Sequence, residues 1–321
     1  MKTLQFREAI QEAMSEEMRR DETIYLMGEE VAEYNGAYKA SKGMLDEFGP
    51  KRVIDTPISE LGFAGIGVGS TMTGNRPIIE FMTFNFALVG IDQIINNAAK
   101  IRQFNCPIVF RGPTASAGQL AATHSQAFES WYANCPGLKV VVPSNPRDAK
   151  GLLKASIRDN DPVIFMESEQ MYGDKGEVPE GDFTIPLGVA DIRREGTDVT
   201  IVSFGKIIKE ADKAADELAK ENISVEIIDL RTVKPLDYEA VLKSVKKTNR
   251  LVILEEAWPF GNVATEITYH VQSNAFDYLD APIVKINTAD TPAPYSPVLL
   301  AEWLPNHEDV VKAVKKVMYK L

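Results

Sequence analysis

Glu60 stands in the most unusual stretch of this sequence, Asp55-Thr56-Pro57-Ile58-Ser59-Glu60-Leu61-Gly62-Phe63-Ala64-Gly65-Ile66-Gly67-Val68-Gly69. Pro57 biases Thr56 away from helix, and Ser59 can cap a helix that begins near Glu60. A carboxylate in a first helical turn is favoured by the helix dipole and by itself needs no function. Its neighbours Ile58, Leu61 and Phe63 are apolar, so burial of Glu60 is the expectation. A buried carboxyl has a raised pKa and can hold or pass a proton near neutral pH. The glycines at 62, 65, 67 and 69 each cost a helix about 1 kcal/mol relative to alanine. Close approach of another helix or subunit is expected to compensate. A dinucleotide loop is disfavoured, because these glycines lie inside the helix and the G-x-G-x-x-G spacing is not met.

Two further stretches hold candidates. In Glu80-Phe81-Met82-Thr83-Phe84-Asn85-Phe86-Ala87, three Phe residues crowd the carboxyl end of a strand. Most of them suit an aromatic core, but open parallel sheets bind ligands at that edge, and one ring could stack on a planar cofactor. Arg111-Gly112-Pro113-Thr114-Ala115-Ser116-Ala117-Gly118 is a loop of small residues, and it leads to His124, one of three histidines. A lone histidine is more often structural. His124 follows a loop at a strand end, where catalytic groups concentrate. Cys106 and Cys135 are far from any metal-ligand spacing and read as reduced thiols.

The elements that must position these residues alternate along the chain. Ile24–Met27, Ile78–Met82, Ile108–Phe110, Val140–Val142 and Val163–Met166 read as strands. Thr3–Arg20, Leu88–Arg102 and Arg147–Arg158 read as helices, with Thr3 and either Ser144 or Asn145 as N-caps. From Met171 to Pro186 the pattern lapses into a polar, turn-rich linker. It restarts with strands at Val199–Phe204, Val225–Leu230, Leu251–Leu254 and Ile283–Ile286, and helices at Ile207–Lys220, Tyr238–Val245 and Val263–Gln272. Short apolar strands alternating with helices predict an α/β fold of two doubly wound domains, each on a largely parallel sheet.

Composition narrows the functional classes. The 321 residues carry 46 acids against 35 bases, a net charge of −11, which argues against nucleic-acid binding and suits a basic partner. No apolar run reaches the roughly 20 residues of a membrane helix. The opening Met1-Lys2-Thr3 shows neither a secretory signal nor a transit peptide, so a cytoplasmic setting is expected.

The segments DTPISELGFAGIGVG, RPIIEFMTFNFALVGIDQIINNAAK, HSQAFESWYANCPGLKVVVPSNPRDAKGLLKASIRDNDPVI, LRTVKPLD, LEEAWPFG and TADTPAPYSP resemble the β subunits of the decarboxylating component of pyruvate dehydrogenase. These are members of the transketolase-like thiamine enzymes. The resemblance runs from Phe6 to the C-terminus. It implies a pyrimidine-binding domain over 1–175, a linker over 176–190 and a transketolase-type C-terminal domain over 191–321. It implies thiamine diphosphate as cofactor, with Glu60 bonded to a nitrogen of its aminopyrimidine ring, Phe86 stacked on that ring, Ile58 beside it, and His124 near the reacting carbonyl and the entering lipoyl group. Ile108, Ser156, Ile157, Asp159 and Asp161 match a potassium site built largely from backbone carbonyls. Asp280 matches a surface that docks the lipoyl acyltransferase core.

The family's diphosphate–magnesium motif, Gly-Asp-Gly, is absent from this chain; Gly173-Asp174 and Gly181-Asp182 fail it. The resemblance therefore implies an α2β2 heterotetramer in which an α subunit holds diphosphate and magnesium. Branched-chain 2-oxoacid relatives carry a different run around Glu60 and a Tyr at Phe86, which favours pyruvate as substrate. A branched-chain or acetoin dehydrogenase subunit and a non-catalytic scaffold of the same fold are the alternatives. Relatives have several more residues between Arg102 and Pro107, where this chain has Gln103-Phe104-Asn105-Cys106, and that puts the length of this loop in question.

Overall fold

The computed structural model describes residues 1–320, apart from the side chain of Arg102. Packing divides them into two units. The first is Met1–Thr114 with Trp131–Leu187, and the second is Ala115–Ser130 with Gly188–Leu321.

In the first unit, six strands run parallel in the order Lys139–Val141, Val163–Glu167, Val109–Pro113, Arg76–Glu80, Ile24–Gly28, Val53–Asp55. Val109–Pro113 and Val163–Glu167 are buried at every position, as central parallel strands covered on both faces must be. Helices Phe6–Arg20 and Pro146–Arg158 bury Ile10, Met14, Leu152 and Leu153 in one core with Ile24, Leu26 and Ile78. Between these helices Lys150 and Lys154 lie wholly buried, and each meets Glu16 at 2.6 Å. Buried lysines persist only when paired in this way.

Three expectations change here. Lys2–Gln5 is a strand paired antiparallel with Lys175–Val178, so Thr3 caps nothing and part of the expected linker is sheet. The helix starts at Phe6 behind Gln5, whose N–H donates to Glu8 at 2.7 Å in a capping box. The expected helix Leu88–Arg102 is a 3₁₀ turn at Leu88–Gly90, a π-helix at Gln93–Ala98, an α turn at Ala99–Ile101 and a second 3₁₀ turn beginning at Arg102. Asn145, not Ser144, caps Pro146–Arg158, accepting from the Asp148 N–H at 2.9 Å.

In the second unit the strand order is Val284–Ile286, Leu251–Leu254, Val199–Ser203, Val225–Asp229, Asp191–Arg194, all parallel but the last. Helices Ile208–Ala219 and His307–Val317 share a core with Val199, Ile201 and Val225. On the alternate face, Thr200 meets the hydroxyls of Ser244 and Thr248, each at 2.6 Å, from helix Tyr238–Thr248. Among the described residues, no helix is long and apolar enough to cross a membrane.

Candidate active site

Glu60 is the first residue of helix Glu60–Thr71, and it is buried at 6% exposure. The Ser59 hydroxyl makes no cap bond; only its carbonyl serves, accepting from the Phe63 N–H at 3.0 Å. The helix glycines divide by face. A Cβ at Gly67 would stand 2.6 Å from Ile79 of the sheet beneath, and one at Gly65 would stand 3.1 Å from Gln93. Gly69 opens onto space, on the side where Leu61, Ile66 and Met72 are exposed. Gly90 lets its own segment close on the site, since a Cβ there would lie 2.9 Å from the Glu60 carbonyl oxygen.

Glu29, which the sequence reading passed over, is buried close enough to Glu60 for the charge of one to act on the other. It follows strand Ile24–Gly28, where Gly28 is obligatory because a Cβ would meet the Glu80 carbonyl oxygen at 2.3 Å. The Asp55 carboxylate accepts from the N–H groups of Ala32 and Glu33, at 2.7 and 3.0 Å, and fixes the loop that follows. Burial and then the charge of Glu60 push the Glu29 carboxyl up to about 7, against a bond from the Met82 backbone. Glu29 thus keeps its proton to near neutrality. The signal in the sequence was an acid at the carboxyl end of a parallel strand. Glu29 Oε1 and Thr56 Oγ1 are buried without a partner. Such atoms want a polar ligand.

Phe86 lies half-buried on the short helix Phe84–Ala87, while Phe81 and Phe84 are core residues whose rings meet at a tilt, with centroids 5.7 Å apart. Thr83 accepts the Asn85 N–H at this helix's start. Beneath it, the fully buried Arg111 binds Glu167 through two bonds, at 2.7 and 2.6 Å, and also binds Glu80. Tyr172 donates to Glu167 at 2.7 Å. These groups tie together the strand ends from which the Phe81–Phe86 segment departs. Ile58 is 84% exposed beside Glu60. A carboxyl pair, a half-buried ring, an uncovered apolar side chain and two unsatisfied polar atoms fit an aromatic, nitrogen-bearing ring such as an aminopyrimidine.

His124 belongs to the second unit, in a 3₁₀ turn at Ala122–His124. It is partly exposed, and its Nδ1 lies 3.1 Å from the Thr123 hydroxyl. The structure therefore brings Glu60, Ile58 and Phe86 into one unit and carries His124 on the other.

The cation positions converge at the end of helix Pro146–Arg158. Ile108 O accepts from the Val163 N–H at 2.9 Å, and Asn160 O accepts from the Cys106 N–H at 3.0 Å. Carbonyls at a helix C-terminus attract cations. Two side chains already respond. Arg76 donates to Ile157 O and Asp159 O, at 2.9 and 2.6 Å, and Lys139 pairs with Asp159 and Asp161, at 2.6 and 3.2 Å. Ile108 O and Asp159 O keep a lone pair for a weakly charged ion, whereas Ile157 O accepts twice from Arg76, at 3.2 and 2.9 Å, which makes Arg76 the ion's competitor. Among the described residues, no group of three His, Cys, Asp or Glu could hold a metal. Asp280 is half-exposed and pairs with Arg250 at 3.1 Å.

Two domain families match this chain: transketolase pyrimidine-binding domain over residues 2–175 and transketolase C-terminal domain over residues 188–310. A solved structure described as a split-gene transketolase, an inactive β4 tetramer, shares the fold, with a TM-score of 0.82 at 22% identity over 99% of each chain. The class is thus that of two-domain, transketolase-type proteins. Within it the chain belongs to the family of pyruvate dehydrogenase E1 component β subunits. The β subunit from Rhizobium meliloti is 57% identical over all of this chain and 71% of its own length. That from Rickettsia felis is 54% identical over 98% of both, and the mitochondrial β subunit of Mus musculus is 50% identical over 98% of this chain and 90% of its own.

Proposed function

We propose that this chain is the β half of a thiamine-diphosphate-dependent pyruvate dehydrogenase, decarboxylating pyruvate and passing the acetyl unit to the lipoyl group of an acyltransferase core. The Glu29–Glu60 carboxyl pair carries this reading. Glu60 offers its carboxyl to a ring nitrogen of the pyrimidine, and Glu29 keeps a proton within reach of it at neutral pH. Phe86 supplies a flat apolar face for the ring, and Ile58 packs at its edge. The bound cofactor supplies the electron sink that lets a 2-oxoacid lose carbon dioxide. His124 would stand where the acetyl unit passes to one lipoyl sulfur, and would give a proton to the other sulfur as the disulfide opens. The chain lacks a Gly-Asp-Gly motif, so an α subunit binds the diphosphate and magnesium in an α2β2 heterotetramer. Potassium at Ile108, Ser156, Ile157, Asp159 and Asp161, docking through Asp280, and a cytoplasmic setting complete the proposal.

Glu60→Gln keeps the shape and removes the acid. Pyruvate turnover by the heterotetramer is expected to fall at least a hundredfold, with assembly intact; the size is on the order of a lost general acid–base group. Near-normal turnover would sink the reading. Turnover of a branched-chain 2-oxoacid or acetoin exceeding that of pyruvate would reassign the substrate.

A further inference from the structure

The loop carrying His124 is strained, and it is fastened to the sheet of its own unit. Ala115 and Ala121 hold φ of +63° and +61°. Non-glycine residues stay in this left-handed region only where their surroundings over-determine it. Ala115 donates its N–H to Gln126 O at 3.0 Å, which closes the loop on itself. The next residue, Ser116, is wholly buried. Its N–H donates to Glu256 Oε1 at 2.6 Å, and its carbonyl accepts from Lys206 Nζ at 2.7 Å. Lys206 and Glu256 pair with each other at 3.1 Å, at 12% and 6% side-chain exposure. The two peptide groups flanking Ser116 are thus gripped, one by each member of a charge pair, through charge-assisted bonds stronger than neutral ones. The grip comes from the carboxyl ends of two sheet strands. Lys206 follows Val199–Ser203, and Glu256 follows Leu251–Leu254. Near the loop's far end, Phe128 meets Trp258 edge-on at 6.3 Å.

We propose that Lys206 and Glu256 are positioning residues for His124. They clamp the peptide groups on either side of Ser116, hold the loop in its strained form, and so give the second unit a part in acetyl transfer. The proposal rests on the role given to His124 above. Single removal of either charge strands the other in a buried site and threatens folding. The test therefore uses the charge-neutral double variant Lys206→Met/Glu256→Gln, with Lys206→Arg as the conservative control, in the heterotetramer with its acyltransferase core.

Amide exchange over residues 115–130 is expected to rise at least tenfold in the double variant, with strand Val199–Ser203 unchanged. Turnover with the lipoyl acceptor is expected to fall at least tenfold, with KM for pyruvate within about twofold of the parent. Lys206→Arg should restore both. Added to His124→Ala, the double variant should cost little further turnover, because both act through one side chain. Unchanged exchange would overturn the clamp even with the role of His124 intact. A loss that multiplies on the His124→Ala background would overturn the positioning role. Normal turnover in His124→Ala alone would defeat the reading of His124 and take the positioning role with it.

Discussion

A proton held on Glu29 has consequences beyond chemistry. Glu29 has its carboxyl pushed up to about 7 in the folded chain, above its ordinary value of 4.5. Between those pH values the folded chain keeps a proton that the unfolded chain has lost. Folding stability therefore falls as pH rises from about 4.5 to 7, and the penalty is complete above 7. Glu29→Gln removes it. Thermal melting of the full chain should show the variant gaining on the parent at pH 8 and showing no such gain at pH 4. An equal offset at both values would mean that Glu29 is not protonated by the fold. In the assembled enzyme the same variant should slow turnover less than Glu60→Gln if Glu60 is the group that meets the pyrimidine ring. The burial of Glu60 was legible in the sequence from its apolar neighbours. Glu29 was not, because its relation to Glu60 depends on two adjacent parallel strands that local patterning does not join.

At the scale of elements, helix Glu60–Thr71 uses its glycines unequally. Gly67→Ala would press a methyl against Ile79 and should cost about 1–3 kcal/mol, as overpacking does. Gly69→Ala meets nothing and should add up to about 1 kcal/mol of helix propensity. Melting of the full chain separates the two signs; a loss at Gly69 would show that this face is already covered. If Gly69→Ala stabilises the chain yet weakens assembly with α, the open face is an interface. The loop after helix Pro146–Arg158 makes its own prediction. Potassium should raise the melting temperature of the parent and have less effect on Asp159→Ala or Asp161→Ala. The same potassium response in all three would leave Arg76 and Lys139 as the only cations the loop needs.

Elements with strong periodicity were read to within a few residues, as at Ile24–Gly28 and Val263–Ala275. Two features resisted. The strand Lys2–Gln5 finds its partner some 170 positions away, in a stretch whose polar composition reads as a linker. The π-helix Gln93–Ala98 breaks the 3.6-residue repeat on which helix reading depends, while its composition stays that of an ordinary helix.

At the scale of the whole molecule, charge governs association. With a net charge of −11, the chain should attract a basic partner at a rate that falls as salt rises. Asp280 already has a neighbour in Arg250, so Asp280→Lys both removes an acid and releases a base. Affinity for the acyltransferase core should drop and lose part of its salt dependence, while decarboxylation with an artificial electron acceptor stays unchanged. Unaltered affinity at low salt would remove Asp280 from the docking surface.

The interleaving of the two units sets an order of events at the ribosome. Residues 115–130 emerge early, but the groups that secure them, Lys206, Glu256 and Trp258, are not yet made. Glu256 is translated roughly 125 residues after the loop, an interval of about 6–25 s at about 5–20 residues per second. Throughout that interval the nascent chain displays Phe128 without its indole partner and Ser116 without its ion pair. The first unit can close around its own sheet meanwhile, but the segment that bears His124 must wait, and a chain stalled or cut in that window would be a substrate for chaperones rather than for assembly.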